Sequence, residues 1–240
     1  MLAKVNSCAV VGLDGALVNV EVDVAQGLPS FTIVGLPDTA VQESRERVRT
    51  AVKNSGLIFP TTRVTVNLAP ADLRKEGPSY DLPIAIGILA ATQQIPADLA
   101  DSLIIGELSL DGMVRHTNGV LPMAALARRQ GLKRIFVPAL DAPEAALIPG
   151  LDVIPLESVF TLYAHLQNLQ PITPYQGRIE LDESDHATST TDFQEIRGQE
   201  HAKRALEVAA AGSHNLLMVG PPTVSKLQLR SDHYCQGCCP

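Results

Sequence analysis

Ala16-Leu-Val-Asn-Val-Glu-Val-Asp-Val24 decides the fold. Val18, Val20, Val22 and Val24 recur on one face, and Asn19, Glu21 and Asp23 fall on the other. A period of two marks a strand with one buried face. The apolar run Val5 to Val11 precedes it across Gly12-Leu13-Asp14-Gly15, and the Asp-Gly pair reads as the turn of a hairpin. Phe31 to Val34 is a third short strand, ended by Gly35. A sheet with one apolar face needs helices to cover it.

Those helices follow. Thr39 and Gln42 read as a capping box for a helix that runs to Asn54, with Val41, Val48 and Val52 on one side. Glu43, Arg45, Glu46, Arg47 and Arg49 read as its solvated face. Val64 to Leu68 is a strand, Ala69 to Tyr80 a loop, and Asp81 to Thr92 an apolar helix buried on most sides. Further strands are expected at Leu103 to Leu108, Ile135 to Val137 and Val153-Ile154, with helices at Leu121 to Gln130, Ala142 to Leu147 and Ser158 to Leu169. The pattern predicts an α+β domain over residues 1–169. Residues 170–191 read as a linker, with Pro171, Pro174 and the acidic Glu180, Asp182, Glu183 and Asp185. Residues 192–222 predict a helix, Gln199 to Ala211, and a strand, Asn215 to Val219. Residues 223–240 read as an aberrant tail without helical periodicity.

Of the 240 residues 45% are hydrophobic but only 4% aromatic, with no Trp, so Val, Ile, Leu and Ala must build the core. A net charge of −7 argues against a dedicated basic nucleic-acid binder. Arg45, Arg47, Arg49, Lys53 and Arg63 leave room for a local basic patch toward DNA phosphates. No apolar run approaches the ~20 residues of a membrane span, and Met1 to Val5 lacks a signal-peptide pattern, so a cytoplasmic protein without membrane contact is expected. Neither the six histidines nor Cys235, Cys238 and Cys239 show a second ligand pair at metal spacing, so no metal site is expected. Asp72, Glu76 and Asp81 crowd one loop and read as solvated.

Two blocks carry a resemblance. Phe193-Gln-Glu-Ile-Arg-Gly-Gln-Glu-His-Ala-Lys-Arg-Ala-Leu206 is similar to the block that opens the Mg-chelatase-type AAA+ module. Gly212-Ser-His-Asn-Leu-Leu-Met-Val-Gly-Pro-Pro222 resembles the strand entering its phosphate-binding loop. Residues 1–169 resemble the domain that precedes this module in proteins of the ComM/YifB kind. The resemblance implies a ribosomal protein S5 domain 2-like fold, shared with the proteolytic domain of Lon, ahead of an α/β ATPase module. It implies hexameric motors that use ATP and Mg²⁺ and act on DNA in branch migration during transformation. The implied partners are further copies of the chain or an intact homologue. Ile196 and Gly198 match the block that borders the adenine.

The phosphate loop departs from that pattern. The motif needs Gly, four residues, Gly, Lys, then Ser or Thr, so that backbone N–H groups surround phosphate, Lys neutralises charge and a hydroxyl binds Mg²⁺. The stretch reads Gly220-Pro221-Pro222-Thr223-Val224-Ser225-Lys226-Leu227. Gly220 and Lys226 keep the spacing. Ser225 replaces the second Gly, whose backbone often needs φ > 0, and Leu227 offers no oxygen to a metal. The expectation is a truncated family member, frameshifted near residue 223, that binds neither ATP nor Mg²⁺ and hydrolyses no ATP.

The loop Lys75-Glu76-Gly77-Pro78-Ser79-Tyr80-Asp81 resembles the segment around the nucleophilic Ser of Lon-type peptidases. The resemblance puts Ser79 at the nucleophile position and Met123 where the base, a Lys, would stand. Met cannot accept a proton, and Arg128 and Arg129 stay protonated. Ser79 is therefore expected to cap the following helix, and no catalytic residue is expected. A Lon-like Ser peptidase and a regulatory module that co-assembles with an intact homologue are the rival readings.

Overall fold

The computed structural model describes residues 1–96, 99–177 and 198–218. Packing divides the chain into two units, Met1–Glu180 and Leu181–Pro240.

In the first unit the expected hairpin forms. β1 (Leu2–Val11) and β2 (Asp14–Ala25) pair antiparallel from Leu2↔Asp23 to Val11↔Asp14. Val18, Val20 and Val22 are wholly buried and Val24 partly so. β3 (Ser30–Val34) and β4 (Arg63–Ala69) continue the sheet on one side. β5 (Ser102–Ile104), β8 (Arg134–Pro138) and β9 (Asp152–Leu156) continue it on the other. The order is β3-β4-β2-β1-β5-β8-β9. β1–β2 and β2–β4 are antiparallel, and the remaining pairs parallel, so a mostly parallel mixed α/β sheet results. β6 (Glu107–Leu108) and β7 (Val114–Arg115) form a separate ladder, so the run expected as one strand from Leu103 divides at Ile105 and Gly106.

Side chains alternate between two cores. Val5, Ala9 and Phe136 join one with α1 (Thr39–Asn54), α2 (Asp81–Ala91) and α5 (Val159–Leu166). Cys8, Ile135 and Val137 join the other with α3 (Val120–Arg129) and α4 (Ala142–Ala145). Every residue of α2 is buried. Gly87 lets it approach β2, because a Cβ there would stand 2.5 Å from Val22 Cγ2. α1 is capped by Asp38 rather than the expected Thr39, its carboxylate accepting from Val41 N at 2.8 Å and from Gly77 N at 3.1 Å. Asp38 thus holds two segments, which a Thr hydroxyl placed one residue later does not. The chain stays on this unit as far as Tyr175, whose N donates to Val153 O at 2.7 Å.

In the second unit the described residues form one amphipathic helix, α6 (Glu200–Ala211). Asn215 to Met218 carry no regular structure where a strand was expected. The strand that enters a phosphate loop is stabilised by parallel neighbours, and the described residues of this unit contain none.

Candidate functional site

A cleft of about 600 Å³ opens at the end of β1. One wall is the strand itself, Cys8 to Val11, with Gly12. The facing walls are the loop from Leu73 to Tyr80 and the segment His116-Thr117-Asn118, with Met123 of α3. Ser79 sits in a 3₁₀ turn, Pro78–Tyr80, entered through Gly77 at φ 81. Gly106 N donates to Ser79 O at 3.0 Å and Leu82 N to Gly106 O at 3.0 Å, which ties the turn to the chain leaving β5.

The residue after the turn anchors it. Asp81 is fully buried and accepts from Arg47 Nε at 2.7 Å and Arg47 Nη2 at 3.1 Å. The Ser44 hydroxyl and Leu108 N, the latter at 3.3 Å, also donate to it. Burial pushes the Asp81 carboxyl upward, against the donors of Arg47, Ser44 and Leu108. The bond to Asp81 raises Arg47, and with two guanidinium bonds in place the pair is ionic.

Ser79 and Met123 line the same cleft, so the two positions singled out in sequence come together. Ser79 is 7% exposed, and its hydroxyl makes no hydrogen bond among the described residues. It does not cap α2: that helix has no side-chain cap, and Ser79 precedes it inside the 3₁₀ turn. Burial raises the Cys8 thiol to about 12, so it stays protonated beside them. Lys75 is fully buried, donates to the Pro70 carbonyl and does not line the cleft.

His116 is a group that sequence reading missed. Its Nδ1 lies 2.5 Å from Asp141 Oδ1 and its Nε2 lies 3.1 Å from Asn118 Oδ1. Asp141, 3% exposed, also accepts from Thr117 N at 2.9 Å. The bond to Asp141, then that to Asn118, raises the His116 pKa. The buried Asp141 carboxylate orients the ring and favours its protonated form. Ser79, Met123 and His116 thus line one cleft, with Met at the position where the resemblance puts a Lys base.

A family model described as subunit ChlI of Mg-chelatase matches residues 20–141, which include most of the cleft. A second, magnesium chelatase subunit ChlI, matches residues 192–232. Competence protein ComM of Haemophilus influenzae is 42% identical over 233 residues, 96% of this chain and 45% of its own length. YifB of Escherichia coli is 40% identical over 234 residues, 96% of this chain and 45% of its own. The chain belongs to the Mg-chelatase ChlI family and is ComM/YifB-like. It spans about 45% of the length of these curated relatives. Lon protease 2 of Bacillus subtilis is 29% identical over 173 residues, 64% of this chain and 31% of the protease.

In this ComM/YifB-like chain Gly198, which the resemblance matches to an adenine-bordering block, is exposed just ahead of α6. Ile196 and the loop residues Gly220, Pro221, Pro222, Ser225 and Lys226 lie outside the described residues. By residue type this stretch departs from a magnesium-triphosphate loop, because the Leu227 side chain carries no oxygen and Ser225 stands where the motif has its second Gly. The basic patch expected on α1 is reduced, since Arg47 turns inward to Asp81 and Arg49 lies 6.0 Å over the Phe59 ring. Asp81 is buried rather than solvated, so it cannot join Asp72 and Glu76 around a cation. Among the described residues no group of three His, Cys, Asp or Glu could hold a metal ion. No described helix is long and apolar enough to cross a membrane.

Proposed function

We propose that this chain supplies the amino-terminal accessory domain of a ComM/YifB-type AAA+ assembly in the cytoplasm, and that it neither cleaves peptides nor hydrolyses ATP. The accessory domain is of the ribosomal protein S5 domain 2-like, Lon-related kind, which the 29% identity to Lon protease 2 supports. The observation that carries the reading is Met123. It stands in the cleft with Ser79, where a Lon-type site needs a proton acceptor, and a thioether accepts none. What persists is a walled cleft on a clamped turn, suited to holding rather than reacting.

The rest follows from the resemblance to ComM and YifB. The assembly is a ring of six that uses ATP on DNA, with copies of the chain or an intact homologue as partners. Ser225 and Leu227 support the reading that ATP and Mg²⁺ belong to other subunits of the ring and not to this chain's own loop. Labelling the purified chain with a fluorophosphonate tests the first half. No adduct at Ser79 is expected. Stoichiometric modification of Ser79 would return the domain to the peptidases.

A further inference from the structure

We infer that the outer edge of β3 is a docking site for an acidic peptide segment, which adds there as a strand with its carboxylates against Arg45 and Arg49 of α1. β3 stands first in the sheet and pairs with β4 alone. Among the described residues no strand lies on its other side. The opposite edge of the sheet is met by the chain itself, since Tyr175 N donates to Val153 O of β9 at 2.7 Å. Along a strand, alternate residues turn their N–H and C=O groups to each side, so β3 presents a row that another strand satisfies. Ser30, Thr32 and Val34 are exposed, while Phe31 and Ile33 turn toward the core beneath α1. Ser30-Phe-Thr-Ile-Val34 carries no charge and no Pro, two of the devices that guard an edge.

The charge beside this edge selects the partner. Arg47 faces α2 through Asp81 and draws Glu43 to within 3.8 Å on the same flank of α1. At about 100° per residue, Arg45 and Arg49 fall on the opposite flank. That flank lies by β3: Arg49 Cζ is 6.0 Å from the centre of the Phe59 ring, which is 5.7 Å from that of Phe31. Arg45 and Arg49 are exposed, and Arg45 Nε donates only to Gln42 O of its own helix, at 3.1 Å. In a chain of net charge −7 this flank is locally basic. A second copy of β3 in two-fold pairing would set the flank against itself, like charge on like charge. A nucleic acid would gain few phosphate contacts here, whereas a peptide gains the edge amides as well. Carboxylates at alternate positions of the added strand fall on the α1 face, where a guanidinium takes them two bonds at a time. The residues between them lie beside Thr32 and Val34, and five residues at about 3.4 Å each span roughly 17 Å. Ser79, Met123 and the phosphate loop take no part.

The test uses the full chain and a fluorescein-labelled hexapeptide of alternating Val and Glu, beside a version with Gln at every Glu. The expected result is saturable binding of the Glu peptide and about tenfold weaker binding of the Gln version. About tenfold slower amide exchange at residues 30–34 in the complex is also expected. The double variant Arg45→Gln, Arg49→Gln is expected to bind the Glu peptide as weakly as wild type binds the Gln version, with its thermal midpoint within a few degrees of wild type. Absence of saturable binding would overturn the inference, as would equal affinity for the two peptides or binding without protection at residues 30–34. Displacement of the Glu peptide by an oligo-dT strand would overturn the peptide assignment. Protection of residues 30–34 that rises with protein concentration in the peptide-free chain would put a second copy on the edge and would overturn it too.

Discussion

Arg47 of α1 reaches across to Asp81, the first residue of α2, and donates two hydrogen bonds to its buried carboxylate, at 2.7 and 3.1 Å. This one pair fixes the turn that carries Ser79, two residues earlier. Removing one partner of a buried ion pair leaves the other charge desolvated and unpaired, which costs about 3–5 kcal/mol. Asp81→Ala is expected to lower the unfolding free energy in urea by about that amount, with Arg47→Met less harmful than Asp81→Ala only if Asp81 can take up a proton. A loss below about 1 kcal/mol for Asp81→Ala would show that the clamp is not structural.

Gly87 makes a second prediction. The missing Cβ allows α2 to lie against β2, where Val22 Cγ2 would be 2.5 Å from it. Val22 is β-branched and wholly buried, so it cannot swing aside. Gly87→Ala gains in helix propensity by up to about 1 kcal/mol, yet overpacking costs about 1–3 kcal/mol. The net expected in thermal unfolding is destabilisation. A raised midpoint would mean that helix and sheet can separate without cost.

His165 gives a pH dependence. Burial, then the nearby Arg134 charge, lowers its pKa below the ordinary 6.5. Its Nδ1 accepts from Ile172 N at 2.9 Å, which requires the neutral ring. A depressed folded-state pKa contributes stability that is present above about 6.5 and lost as pH falls toward the folded value. The Ile172 to Tyr175 segment is therefore expected to lose amide protection between pH 7.5 and pH 5. His165→Asn should remove that change. Equal protection factors at both pH values in wild type would contradict it.

Met123→Lys restores a proton acceptor to the cleft. Met123 is 3% exposed, and burial depresses the pKa of an introduced lysine toward neutrality. The expected outcome is fluorophosphonate labelling of Ser79 in the variant and none in wild type. Failure of the folded variant to label would mean that residue 123 is too far from the hydroxyl to act as its base.

Much of this architecture was legible in the chain. The valine alternation of β2 announced the hairpin, and the apolar run after Asp81 announced a helix buried on most sides, which is buried on all of them. Boundaries were harder where contacts distant in sequence decide them. Ile105 and Gly106 interrupt the strand expected through Leu108 because their amides bond to Phe136 and Ser79 instead. Arg47 read as a solvated charge beside Glu43 and Glu46, since its partner lies 34 residues away. Ser79 and Met123 were singled out through resemblance. His116 and Asp141, 25 residues apart, carry no local spacing that could announce their pairing. The strand expected from Asn215 depends on neighbours to pair with, which its own sequence does not supply.

The proposed lack of ATP turnover is tested by steady-state phosphate release from the purified 240-residue protein with Mg²⁺. The expected rate equals that of a Lys226→Ala variant and that of the buffer blank. Turnover that the wild type shows and Lys226→Ala abolishes would contradict it.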